Sequence, residues 1–391
     1  MHIPGRHRTL THRVLGWLAP VWFVVACINP LDIDSLQEAV LVGVGDSGRF
    51  YLLGGSEPEV ISVSDPMPRF VDAYAFSPDS TTLYFIAFEP YKPRELFALD
   101  TRSLDLLWRE PLKDIAARSR IGEVRIDGAY RLVVSADGAK LALDGRPAPA
   151  WTDGLVIIDA NSRSPVGFVQ LAGGWRSWTG GWESTVTLGP DPSNPSGSVL
   201  VPARTSSDVF LYFMDGSTFE VQDSLLLNSG GVNQLLPAPD RRHVYLVGAD
   251  SLYKVDRLAR RIVARAWKPD PYGRARLAIA PDGETLYMTD PGDGRNFPGS
   301  GLLFVMGPNF EPRTPIDLRA LPSPIVTHSA AVSGDGSLVY VTYGTPYGGP
   351  LYGFQPSRLL VIDARAGRLI RYVPFNDWNV RQVFAYRVRR P

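Results

Sequence analysis

Residues Ser329 to Phe375 read SAAVSGDGSLVYVTYGTPYGGPLYGFQPSRLLVIDARAGRLIRYVPF. An apolar run, Ala330 to Val332, breaks at the turn Ser333-Gly334-Asp335-Gly336. A β-rich run, Leu338 to Thr342, then a Gly/Pro/Tyr loop and Arg358 to Asp363 follow, and Leu369 to Val373 closes the unit. Short runs rich in Val, Ile, Leu and Tyr, punctuated by Gly and Asp, are strands joined by hairpins rather than helices. Four such strands in about 45 residues make one blade of a β-propeller.

Working outward, two aspartates count the unit along the chain. The first marks the turn between the first and second strands, at Asp46, Asp79, Asp137, Asp191, Asp240, Asp282 and Asp335. Typical turns are Ser77-Pro78-Asp79-Ser80 and Ala280-Pro281-Asp282-Gly283, in which Pro and Gly set the dihedrals and Asp accepts from nearby amides. The second ends the third strand, at Asp65, Asp100, Asp159, Asp215, Asp256 and Asp363, with Gly307 standing in for it once. This count predicts an all-β fold, a seven-bladed β-propeller of four-stranded antiparallel blades, over residues 38–390.

The sequence Ser-Pro-Asp-Gly, then Leu-Tyr-hydrophobic, then hydrophobic-hydrophobic-Asp resembles the YVTN-type and related lactonase-like propellers. The Gly-His and Trp-Asp dipeptides of the tryptophan-aspartate repeat branch are absent from the pattern. The resemblance implies a seven-bladed scaffold and specifies function poorly, since that scaffold hosts many activities.

Forty basic and forty acidic side chains cancel over the 391 residues, so no overall field draws the chain to nucleic acid. At the N-terminus, Arg6, Arg8 and Arg13 precede an apolar run from Val14 to Ala26. Thirteen apolar residues fall short of the roughly 20 that a membrane-spanning helix needs, which fits a signal peptide over residues 1–26. The run ends Val24-Val25-Ala26-Cys27, and Cys27 is the sole cysteine. That ending resembles the lipobox of bacterial lipoproteins, which implies lipidation of Cys27. Residues 27–37 then form a short tether. Ile28 stands after the cysteine rather than Asp, and the same resemblance then implies the outer membrane if the cell is Gram-negative.

Spacing predicts how the ring closes. Only 14 residues separate Asp65 from Asp79, which leaves the first blade without an outer strand. The surplus run Val380 to Val388 at the C-terminus is expected to complete that blade. A competing register makes the same run the inner strand of a shared blade. Propeller topology also sorts the loops: the aspartate turns share one face, and second-to-third loops and blade connections share the other. The long insertions 89–95, 144–154, 172–184, 290–301 and 343–356 all fall on the second face. Uneven loops on one side of a regular scaffold mark its working side.

Two constellations are candidates for that work. At the entry of the inner strands, Asp72, Tyr130, Asn233 and His328 occupy equivalent positions, with Arg69, Arg131, Glu183, Arg274 and Arg276 beside them. Such a polar ring at the channel mouth suits an anionic small molecule or a cation, or serves only as a solvated, self-paired channel. His243, the other histidine past the leader, reads as a surface residue. The second constellation is aromatic: Trp175, Trp178 and Trp182, then Tyr347 and Tyr352, in two of the long loops. Aromatics beside Arg are favoured at interfaces and stack on sugar rings, though Trp178 and Trp182 also suit packing between blades. No complete catalytic set, metal cluster or cofactor motif can be assembled. The expectation is a membrane-anchored, non-catalytic binding or scaffold propeller whose long-loop face takes a protein or glycan. The alternative is a lactonase-like hydrolase at the channel mouth.

Overall fold

The computed structural model describes residues 36–44, 48–54, 59–68, 70–126, 131–171, 185–189, 194–205, 208–269, 275–290, 299–319, 326–344, 358–375 and 380–389. It is an all-β, propeller-like arrangement of small antiparallel sheets. The chain opens with β1 (Leu36–Val44), β2 (Phe50–Gly54) and β3 (Val60–Val63). A four-stranded sheet follows: β4 (Phe70–Phe76), β5 (Thr82–Phe88), β6 (Glu95–Asp100) and β7 (Leu106–Pro111). The helix α1 (Leu112–Ala117) then leads into a five-stranded sheet. Its strands are β8 (Val124–Arg125), β9 (Leu132–Val134), β10 (Lys140–Pro147), β11 (Gly154–Asp159) and β12 (Ser164–Gln170).

Four more four-stranded sheets come from contiguous stretches. The first two hold β13 (Val186–Leu188), β14 (Ser198–Arg204), β15 (Val209–Asp215) and β16 (Val221–Leu227), then β17 (Val232–Pro237), β18 (His243–Gly248), β19 (Ser251–Asp256) and β20 (Arg261–Trp267). The next two hold β21 (Leu277–Ile279), β22 (Leu286–Met288), β23 (Leu302–Met306) and β24 (Ile316–Asp317), then β25 (Val326–Val332), β26 (Leu338–Gly344), β27 (Arg358–Asp363) and β28 (Arg368–Pro374). The remaining strand, β29 (Val380–Arg389), joins the opening segment in the order β29-β1-β2-β3.

The core explains why these elements stack face to face. Alternate residues of a strand point to opposite faces, so each blade feeds two interfaces. Val339 and Val341 of β26 join the cluster against Tyr287 and Leu303, whereas Tyr340 between them joins Tyr51, Leu53 and Val383. Each apolar cluster lies between two successive sheets. The series returns to its start where Phe50 and Leu52 of the composite sheet meet Phe85, Phe97 and Leu99. Phe85 and Phe97 stack at 4.8 Å.

Two expectations from the aspartate count are corrected. Contiguous repeats make six sheets, not seven, because residues 38–65 are not a repeat of the series. The connection holding Asp46 joins β1 to β2, the second and third strands of the composite sheet, and Asp46 itself lies outside the described residues. Gly54, not Asp65, ends the third strand there. Its N–H donates to Glu59 O at 3.1 Å, as that of Asp100 donates to Asp105 O at 3.0 Å. The second correction concerns closure. Val380–Arg389 pairs beside β1 as the inner strand, the competing register, because β3 already fills the exposed outer edge. Phe384 packs edge-on against Tyr74 and Phe76 of β4, at 4.8 and 5.3 Å.

Candidate functional site

The aspartate turns are self-satisfied. Asp79, Asp137 and Asp335 accept from the hydroxyls of Ser77, Ser135 and Ser333 at 2.6, 2.5 and 2.6 Å, and from an amide two residues on. Asp100, Asp159, Asp215, Asp256 and Asp363 accept from amides of the third-to-fourth turn. Where Gly307 replaces the aspartate, Glu311 accepts from the Asn309 amide at 3.1 Å. Burial alone would raise the Asp256 carboxyl, but the Arg242 guanidinium and the N–H groups of Ala259 and Leu258 outweigh it and hold it at about 2. His243, expected at the surface, is half-buried and sits 2.6 Å from the Asp240 carboxylate.

At the opposite end of the sheets, the inner-strand entries carry the expected polar residues in a recurring geometry. The ladder between first and second strands shifts between Val71 and Ala73, between Val232 and Gln234, and between Thr327 and Ala330. Asp72, Asn233 and His328 therefore sit in β-bulges, which re-aim a side chain out of the pleat. One residue later, the amides of Arg131, Arg276 and Ser329 donate to side chains of the second strand. Their acceptors are Asp144 at 3.0 Å and Thr289 and Thr342 at 2.9 Å each.

The same side chains are tied into the scaffold. Asp72 pairs with Arg94 at 2.5 Å, and Arg94 also lies over the Phe88 ring at 4.6 Å. Burial pushes the Asp72 carboxyl up, against the opposing hydrogen bond and charge of Arg94. Arg131 and Asp144 form a buried ion pair, and Arg131 also donates to Pro202 O of the next sheet at 3.0 Å. Asn233 donates to Gly248 O at 3.3 Å, and Gln234 exchanges two hydrogen bonds with the backbone of Leu277. Asp72, Arg131 and Asn233 thus each engage a neighbour on the scaffold, Arg94, Asp144 and Gly248. No group of three His, Cys, Asp or Glu among the described residues suits a metal ion.

Cys27, Trp175, Trp178, Trp182, Tyr347 and Tyr352 lie outside the described residues, as do Tyr130, Arg69, Glu183 and Arg274. The long-loop end nevertheless presents aromatics that the sequence reading passed over. Tyr91, in the loop between β5 and β6, is 107% exposed with a left-handed φ of 67°. Trp267, the last residue of β20, is 71% exposed, and the Arg265 guanidinium lies 5.2 Å from its ring. Trp151, between β10 and β11, stacks under Arg125 at 4.2 Å. The signal for Trp267 was its place on the odd-numbered face it shares with Arg261 and Arg265, since this edge strand half-buries its even residues and displays its odd ones.

The segment 144–154 is not wholly a loop, since β10 runs on to Pro147 and pairs with β8. No helix among the described residues is long and apolar enough to cross a membrane.

No family model matches the chain, and no curated protein matches it in sequence. Solved structures, by contrast, match in 1253 chains, so the likeness is to a widely used scaffold. One is dihydro-heme d1 dehydrogenase NirN in complex with DHE, at 16% identity and a TM-score of 0.51 over 88% of this chain and 75% of that one. Another is the hydrazine synthase of Kuenenia stuttgartiensis, at 11% identity and a TM-score of 0.50 over 86% of this chain and 95% of that one. At these identities the likeness shows the propeller fold alone.

Proposed function

We propose that the protein is an exported lipoprotein of the cell envelope, anchored through Cys27 after removal of residues 1–26 and joined by residues 27–37 to a seven-bladed propeller of the YVTN-type, lactonase-like kind. In this reading six contiguous blades and the composite sheet β29-β1-β2-β3 close the ring. The propeller is a non-catalytic binding scaffold that takes a protein or glycan on its long-loop end.

The observation that carries the reading is the display of Tyr91 and Trp267, exposed at the same end as the expected aromatic loops. Exposed aromatics beside Arg are the side chains that anchor interfaces.

The second reading, a lactonase-like hydrolase at the channel mouth, draws on the raised Asp72 carboxyl and the bulge position of His328. A pull-down from solubilised membranes separates the two. Trp267→Ala and Tyr91→Ala should each weaken partner capture, by about 2 kcal/mol if they are anchors, while His328→Ala leaves it intact. Hydrolysis of a lactone panel by the wild type, lost in His328→Ala and kept in the aromatic variants, would replace the scaffold reading.

A further inference from the structure

The passage between the first and second contiguous sheets departs from the repeat. β16 passes to β17 through only residues 228–231, whereas β7 is followed by α1 and a strap, 118–126, before β9 begins. Leu112 and Ile115 plug α1 into the core at 2% and 0% exposure. The Arg120 amide donates to Pro165 O at 2.9 Å, Arg118 pairs with Glu110, and β8 zips onto the end of β10. The insertion is held in place by packing and hydrogen bonds, and it lies on the long-loop end.

Between helix and strap runs a groove of about 530 Å³, lined by Lys113 and Ala116 on one side and by Glu123, Val124, Arg125 and Ile126 on the other. Small-molecule sites span roughly 300–1,000 Å³, with an apolar floor and a few placed polar groups. Here Val124 and Ile126 form the buried floor. Arg94, Arg131, Arg242 and Arg319 are neutralised by Asp72, Asp144, Asp256 and Asp317. Among the described residues, Lys113 and Arg125 have no such acidic partner. Stacking on Trp151 occupies one face of the Arg125 guanidinium and leaves its N–H edges available, the fork that receives a carboxylate. Glu123 on the same wall reduces the positive field, which favours a monoanion over a phosphate.

We infer that this groove binds a carboxylate carrying a short apolar body, with Arg125 and Lys113 as its cationic contacts and Trp151 as the residue that positions Arg125. The inference rests on the scaffold reading, to which it adds a chemistry for what the long-loop end recognises. Titration calorimetry on the full chain in detergent tests it with N-acetyl-leucyl-leucine, the same dipeptide as its C-terminal amide, hexanoate and inorganic phosphate. The dipeptide acid should bind and its amide should not. Hexanoate binding as well as the dipeptide would assign the site to free acids, and weaker hexanoate binding to peptide termini. Arg125→Gln and Lys113→Gln should each weaken the acid by about tenfold. Both side chains are exposed, so unchanged circular dichroism is expected for both variants. Equal binding of acid and amide, tighter binding of phosphate, or no binding of any probe overturns the inference. No partner or membrane enters the titration, so its failure is distinct from failed capture at Tyr91 and Trp267.

Discussion

Asp144→Ala probes most sharply whether the polar groups at the inner-strand entries serve the scaffold. Arg131 and Asp144 expose only 6% and 4% of their side chains. The carboxylate accepts from Arg131 Nε at 2.5 Å and from its backbone amide at 3.0 Å. Removing one partner of a buried pair strands the other charge, at a cost of about 3–5 kcal/mol. The orphaned amide adds about 1–3 kcal/mol where water cannot reach it. A loss of about 4 kcal/mol or more should appear in urea unfolding as a lower midpoint with an unchanged slope. Arg131→Met combined with Asp144→Leu removes both charges and should recover more than half of that loss. A single variant within 1 kcal/mol of wild type would refute the reasoning, because Arg131 would then be solvated and available to a ligand. A double variant no better than the single one would show that the cost is not electrostatic.

Phe384→Ala should cost about 2 kcal/mol, below the full core value because the ring is half-buried, since it bridges the closing strand to Tyr74 and Phe76; an unchanged melting temperature would contradict the closure by β29. Acid should also unfold the protein through its turn aspartates. Asp79, Asp137, Asp159, Asp215, Asp240, Asp256 and Asp335 all have lowered carboxyl values, Asp256 to about 2. Stability from such groups is complete above the unfolded value of about 3.9 and is lost as pH falls through the folded value. Melting temperatures should therefore hold level from pH 7 to about 5 and fall below about 4, less steeply in Asp256→Asn; an equal slope in that variant would remove Asp256 from the account.

The blade was legible because its signals are local. A turn aspartate and its serine write their own hydrogen bonds within five residues, so Asp79, Asp137 and Asp335 read correctly from the string. The composite sheet was misread for the opposite reason. Gly54 carries no carboxylate to mark the third strand, and Asp65 stands close enough to take its place. Which edge receives β29 depends on β3, a four-residue strand with a serine in it. The entry positions of Asp72, Asn233 and His328 were legible from their spacing to the turns, but the bulges and Arg94 were not, since both depend on the paired strand. The groove under α1 was missed because a six-residue helix carries too little periodicity to stand out.

Site-specific photocrosslinking in cells tests the central claim, that the long-loop end is the working face. A photoreactive phenylalanine in place of Tyr91 or Trp267 samples that end, and one in place of Arg102 or Arg365 samples the aspartate turns. Discrete adducts of the same partner from the first pair, and none from the second, are the expected result. Adducts from Arg102 and Arg365 with none from Tyr91 and Trp267 would contradict it.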